Sequence, residues 1–278
     1  MNWSEGEQVM QKVGCHVSIA GGIINAPQRA SDLGCEVFQM FSRSPQGGPA
    51  PKITPEIIKQ FKEEMKKWGQ ENCYIHAPYY INFASSNKTI RSASARVVRE
   101  ELERGSLIGA KYVMFHPGSA KDMDRKEAIK ITAEGVAKVM DGYIGSTATR
   151  ERSERSSGRM TELLLEVSAG AGNVMGDTFE ELSEIIKLSG FDLGICLDSA
   201  HIFASGYDIK TKDGFKKTIE NIKKTVGLKK IKLIHSNDSK IELGGRKDRH
   251  DHIGDGKIGL QGFENLMGVF NCDFIAET

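Results

Sequence analysis

Short apolar runs recur along the chain, each followed by a longer segment in which apolar residues return every three or four positions. The runs are VGCHVS (13–18), CEVFQMF (35–41), CYIHA (73–77), KYVMFH (111–116), ELLLEV (162–167), LGICLD (193–198), IKLIHS (231–236) and DFIAET (273–278). Their length and β-prone content predict strands, and the spacing between them predicts helices. Thr54 as N-cap and Pro55 at the first helical position open a segment with Ile58, Phe61, Met65 and Trp68 on one face, and Gly69 stops it. Thr178 and Glu181 have capping-box spacing ahead of Leu182, Ile185 and Ile186, and Asp213 can cap a segment running to Val226, with Gly227 beyond. Strand then helix, eight times over, predicts parallel strands joined by crossover helices: an α/β fold closed as a TIM (β/α)8 barrel, one domain over residues 1–278.

Three places break the repeat. Residues 1–12 form an N-terminal extension. The stretch DGYIGSTATRERSERSSGRM (141–160) is a Ser- and Arg-rich loop that precedes a strand, which puts it on the barrel face away from a site at the strands' far ends. The last strand reaches Thr278 with no helix after it, so the eighth helix is expected to be absent. The wall between the last and first strands would then be open unless the N-terminal extension covers it.

Composition narrows the class without naming a partner. Hydrophobic residues are 39% and charged residues 27% of the chain, ordinary for a globular protein, and the net charge of +1 neither demands nor excludes nucleic acid. Cys15, Cys35, Cys73, Cys196 and Cys272 form no Cys-x-x-Cys pair and sit in apolar stretches, which suits reduced thiols and a cytoplasmic location. The opening MNWSEGEQVMQK is unlike a signal peptide, and no apolar run approaches the ~20 residues of a membrane helix.

The strand ends carry the chemistry, because barrels of this type build their sites there. The third run ends at His76, the fourth at His116, the fifth at Glu166, the sixth at Asp198 with His201 just beyond, the seventh at His235 and the eighth at Glu277. The loop after the seventh adds Asp248 and His250 from GRKDRHDHIGDG, while His16 and His252 are assigned supporting places. Carboxylates and imidazoles crowded in one small volume would repel or stay undersolvated unless cations joined them. Mixed nitrogen and oxygen donors without thiolates suit zinc or manganese, and nine donors suit two or three ions. Such a cluster hydrolyses: it acidifies a bound water and neutralises charge on attacking and leaving oxygens, which serves phosphoryl transfer above all. Four carboxylates leave the bare pocket near −4, and three divalent ions would bring it to about +2, so substrate affinity as well as chemistry is expected to need metal. Lys240, Arg246, Lys247, Arg249 and Lys257 offer phosphate contacts, and Tyr79 and Tyr80 could enter a groove or stack on a base.

With FHPGS (115–119), LDSAH (197–201) followed by ASGYD, HSNDSK (235–240) and KDRHDHIGDGKIG (247–259), the chain resembles the endonuclease IV family, zinc-dependent enzymes that cut DNA at apurinic/apyrimidinic sites. The resemblance runs from GCHVSIAGGI near the start to IAET at the end. It implies three zinc ions: His76 and His116 on the first, Glu166 bridging to a second completed by Asp198, His235 and Glu277, and His201, Asp248 and His250 on the third. It further implies Glu166 and Glu277 as catalytic residues, attack by an ion-activated hydroxide on the phosphorus 5′ to an abasic nucleotide, and insertion into the minor groove of double-stranded DNA with extrusion of that nucleotide. A monomer is expected. Where members of the family carry an Arg and a Trp in the loop after the second strand, this chain has SRSPQGGPAP, with Arg43 and Gln46 as the substitutes. A metal-dependent sugar isomerase or epimerase barrel shares the residue types but generally needs fewer ions, and a non-cleaving abasic-DNA-binding protein would share the surface.

Overall fold

A computed structural model describes residues 11–143 and 160–278. Eight parallel strands close into a barrel: β1 (Val13–His16), β2 (Val37–Met40), β3 (Asn72–His76), β4 (Tyr112–Phe115), β5 (Glu162–Glu166), β6 (Gly194–Asp198), β7 (Ile231–His235) and, last in the chain, β10 (Asp273–Ala276). Each pairs with its sequence neighbours, and β10 closes the ring against β1 through Val13↔Phe274 and Gly14↔Ile275. Two further strands, β8 (Asp238–Ser239) and β9 (His250–Asp251), form a separate antiparallel pair in the loop after β7.

The helices are α1 (Ala26–Asp32), α2 (Pro55–Lys67), α3 (Lys88–Ile108), α4 (Arg125–Met140), α5 (Phe179–Ser189), the short α6 (Ser199–Ala204), α7 (Lys212–Thr225) and α8 (Leu260–Met267). Local chemistry sets their ends. Thr54 Oγ1 accepts the Ile57 N–H with Pro55 at the first position, and Thr178 Oγ1 accepts the Glu181 N–H at 3.2 Å. The expected capping box is only half made, because the Glu181 carboxylate turns to Arg125 and to the Gly176 N–H. Helix α7 starts earlier than expected: Thr211, not Asp213, is its cap, and accepts the Gly214 N–H at 3.1 Å, while Asp213 lies in the first turn.

The strands alternate between two cores. Outward residues such as Phe38, Ile75, Val113 and Leu165 pack under the helices, and Val37, Tyr74, Tyr112, Met114, Leu164, Cys196, Leu233 and Ile275 fill the barrel. Burial on both faces is why these strands read as continuous apolar runs. Low in the barrel the Tyr74 hydroxyl donates to Asp273, and the Tyr74 and Tyr112 rings stack at 5.8 Å. Among the described residues no helix follows β10, and Val13 on the outer face of β1 is 49% exposed. Of the extension expected to cover that wall, residues 1–10 lie outside the described residues; Gln11 binds the carbonyls of Met267 and Phe270, both at 2.6 Å. The Ser/Arg-rich loop likewise lies almost wholly outside them, at 144–159. No described helix is long and apolar enough to cross a membrane.

A candidate metal centre at the barrel mouth

A two-residue rule builds the site. Side chains of a strand alternate faces, so the residue two places beyond an inward-facing core residue points inward again, one layer nearer the mouth. From Tyr74 this step gives His76, from Met114 His116, from Leu164 Glu166, from Cys196 Asp198, from Leu233 His235 and from Ile275 Glu277. Glu166, Asp198, His235 and His76 are buried, so they are fixed by the barrel rather than by loops.

The remaining donors come from two loops. Asp198 is the N-cap of α6, where its Oδ1 accepts the His201 N–H at 2.8 Å, so the Asp-x-x-His spacing of LDSAH is one helix-capping turn. The loop from 238 to 259 is gathered around the buried Asp238 carboxylate, which accepts the N–H groups of Ser239 (2.7 Å), Ile258 (2.9 Å), Gly254 (3.0 Å) and Gly259 (3.0 Å). A Cβ on Gly256 would sit 2.4 Å from Asp238 Oδ1, so this clasp requires glycine there. The β8–β9 pairing sets His250 opposite Ser239 and carries Asp248 just before it.

All nine predicted donors converge. His76 Nε2 and His116 Nε2 lie 3.1 and 3.6 Å from Glu166 Oε2, while His235 Nδ1 lies 2.9 Å from Glu166 Oε1 and 3.5 Å from Glu277 Oε2. Asp248 reaches His201 Nε2 at 3.3 Å and His250 Nε2 at 3.1 Å. Donor atoms within 4.8 Å of one another form three overlapping sets: His76, His116 and Glu166; Glu166, Asp198, His235 and Glu277; Asp198, His201 and His250, with Asp248 beside the last. Cys196 approaches the second set from below, but burial pushes its thiol up to about 12.

The electrostatics fit cations. Burial alone would raise the Glu166 pKa, yet His116, His235 and His76 hold it well below the carboxylate range. Burial works against a charged His201, but Asp198, Asp248 and Glu166 push it up to about 10. Burial leaves His116 below its ordinary value, and it brings His16 down to about 4. Acceptors facing one another at about 3 Å need a positive charge between them; without ions, histidine protons fill that place. Hydrogen bonds also aim the rings: the other nitrogens of His76 and His201 face the Ala77 carbonyl at 2.6 Å and the Val167 carbonyl at 2.8 Å, leaving each Nε2 toward the cluster. The donor set therefore fits divalent cations.

A cavity of about 240 Å³ opens over the cluster, and a second of about 390 Å³ adjoins it, bordered by Tyr79, Tyr80, Lys121, His116, His201 and Asp248. A larger one, about 520 Å³, lies at the opposite barrel end around Gly194 and Lys230, far from these donors.

The proposed DNA-facing residues divide. Tyr79 is 65% exposed, its ring edge-on to Phe41 at 5.3 Å; Tyr80 is exposed beside Gly47, and Gln46 is exposed nearby. Lys247 and Arg249 are exposed. Lys240, Arg246 and Lys257 are exposed too but already face Asp251 (3.8 Å), Asp177 (3.3 Å) and Glu242 (2.8 Å). Arg43 is a correction: it is only 4% exposed and pairs with Glu101 and, at 2.8 Å, with Glu100. The Glu101 carboxylate on α3 is wholly buried and needs that cation, so Arg43 is not free for DNA. Three supporting residues escaped the sequence reading: Asp238; Asn237, whose amide donates to Asp198 (2.6 Å) and Glu277 (3.0 Å); and Gln39, which the two-residue step from Val37 would have found.

Comparison with known proteins shows the family and the fold. Residues 27–273 match the family described as xylose isomerase-like TIM barrel. The chain is 41% identical over 259 residues to a protein of Aquifex aeolicus named Probable endonuclease 4, covering 93% of this chain and 87% of that one. The chain belongs to the endonuclease IV family. The crystal structure of endonuclease IV from Thermus thermophilus superposes with a TM-score of 0.78 at 30% identity, covering 96% of this chain and 92% of that one. A D-tagatose 3-epimerase-like protein shares the fold at a TM-score of 0.65 and 18% identity, over 96% of this chain and 91% of that one.

Proposed function

We propose that the chain hydrolyses the phosphodiester bond 5′ to an abasic site in double-stranded DNA, leaving a 3′-hydroxyl and a 5′-deoxyribose phosphate. Membership of the endonuclease IV family makes it a DNA-repair endonuclease of the hydrolase class. The bond cut, the ions and the lesion are what we add. The observation that carries the reading is the convergence of eight donors into three overlapping sets, linked through Glu166 and Asp198, with Asp248 as a ninth beside His201 and His250. His76 and His116 would hold one zinc ion, with Glu166 shared; Asp198, His235 and Glu277 a second; His201, Asp248 and His250 a third; manganese suits some of these positions. Bound there, such ions supply an acidified water and charge neutralisation at the attacked phosphate.

The protein's own part is placement. Glu166, buried, and Glu277, half-buried, fix the floor on which a phosphate would rest. Tyr79 and Tyr80 project from the rim where a groove would pass; Lys247 and Arg249 are exposed beside it, and Lys240, Arg246 and Lys257, exposed too, would exchange their carboxylate partners for phosphates. One chain carries every donor, so a monomer suffices, and its five free cysteines suit the cytoplasm. An epimerase of the same fold has no need of the third donor set, and a protein that only bound DNA would have no need of the cluster.

The test is nicking of a duplex carrying one tetrahydrofuran abasic analogue, by zinc-loaded and EDTA-stripped protein. Incision by the loaded protein alone, with a 3′-hydroxyl end, supports hydrolysis, since that analogue resists β-elimination. A fully loaded protein that leaves the duplex intact refutes the proposal.

A further inference from the structure

The barrel alternation also delivers Gln39 to the mouth, two residues past Val37 on β2 and fully buried. Its Nε2 lies 2.7 Å from Glu277 Oε1 and 3.0 Å from His16 Nδ1, and its Oε1 lies 2.7 Å from His235 Nε2. Hydrogen-bonding chemistry fixes which group does what. A carboxylate only accepts, so the amide must turn its NH2 toward Glu277. Its carbonyl then faces His235, and because a carbonyl only accepts, His235 Nε2 must carry a proton. Nδ1 faces Glu166 Oε1 at 2.9 Å and Glu277 Oε2 at 3.5 Å, so without an ion it carries a proton as well; a cation taking that place would displace this proton and leave the ring protonated at Nε2 alone.

We propose that Gln39 is a positioning residue: it sets the His235 tautomer and holds Glu277 by Oε1, so that Nδ1 and Oε2 are presented to a cation shared with Glu166 and Asp198. This rests on the metal-centre reading above and adds to it a residue that touches no ion. Few side chains could replace it. A leucine would leave the His235 N–H buried without an acceptor, and a glutamate would set a further carboxylate against Glu277. His16 completes the arrangement by accepting the second amide hydrogen, which holds the amide in one orientation.

The experiment uses the zinc-loaded full chain with 15N-labelled histidine, read by two-bond proton–nitrogen correlation, together with a chelator competition that counts and ranks the bound zinc. The wild type is expected to show His235 protonated at Nε2 and metallated at Nδ1. Gln39→Leu is expected to weaken one zinc roughly 10–100-fold, to leave the others at wild-type affinity, and to scatter the His235 signals between tautomers. Zinc retained at the other positions reports that the variant is folded; should it not fold, Gln39→Glu replaces it, with the same weakening expected. A wild-type His235 metallated through Nε2, or variants that hold every zinc as tightly as wild type, would overturn the proposal while leaving the metal centre intact. A wild-type protein that takes up no zinc would instead overturn the metal centre, and this proposal with it.

Discussion

Asp198 and His201 are joined by one hydrogen bond, Asp198 Oδ1 accepting the His201 N–H at 2.8 Å. The same carboxylate caps helix α6 through Oδ1 and turns Oδ2 toward Asn237 and, at 3.8 Å, His250. The turn that places the imidazole is thus made by its neighbour in the donor cluster. Capping and ion binding can be separated, because Asn caps as well as Asp but carries no charge. Asp198→Asn should fold with a melting temperature, in the absence of metal, close to wild type, yet lose zinc and at least about 100-fold in nicking rate. Asp198→Ala should lose about 1 kcal/mol more from the missing cap. Wild-type zinc content in Asp198→Asn, measured by elemental analysis, would contradict the assignment.

Asp238 organises the loop that carries Asp248 and His250. Its removal in Asp238→Ala orphans the N–H groups of Gly254, Ile258 and Gly259, at about 1–3 kcal/mol for each that stays buried without a partner. Hydrogen exchange at those amides should accelerate. If His201, Asp248 and His250 hold an ion as proposed, its affinity should fall, while that of an ion held by His76 and His116 should stay.

Arg43 was expected at the DNA surface and lies beneath it against Glu101. Arg43→Ala should cost about 3–5 kcal/mol, because it leaves a buried carboxylate without its cation. The slope of log Kd against log salt for DNA should not change, whereas a lost phosphate contact would reduce it by about one. A reduced slope with unchanged stability would restore Arg43 to the DNA surface.

On the proposed assignment, zinc would compete with protons for the same rings. His201, raised to about 10 chiefly by Asp198 and Asp248 against the effect of burial, holds a proton near pH 7 in the ion-free protein, and His250 shifts in the same direction. For His201 the folded pKa is the higher one. The proton's contribution to ion-free stability is therefore full below about pH 6.5 and is lost as pH rises through about 10. Zinc needs the bare nitrogen, so its affinity should rise over that window and its binding should release protons. Calorimetry in two buffers of different ionisation enthalpy measures the release; a value of zero would contradict the competition.

The barrel and the converging donors were legible because alternation and charge coincide: a titratable residue closing an apolar strand stands out at His76, Glu166 or His235. Gln39 faces the barrel interior as they do but lies one residue before its strand ends, and a neutral amide among apolar residues carries no such signal. Arg43 could not be placed from sequence, since its partner Glu101 lies 58 residues away on α3. The start of α7 failed for a local reason. Thr211 and Asp213 can both cap, and Asp208, which accepts the Thr211 hydroxyl and N–H groups, anchors the turn at Thr211. Asp238 sat inside a recognised motif, but its four backbone partners come together only when the loop closes.

The most direct test of the central claim is a zinc titration of the metal-stripped protein, followed by nicking of the abasic duplex at each equivalent. Incision should rise with added zinc and level off near three ions per chain. Incision that ignores zinc, or a plateau at one or two ions with the duplex still intact, would contradict the account.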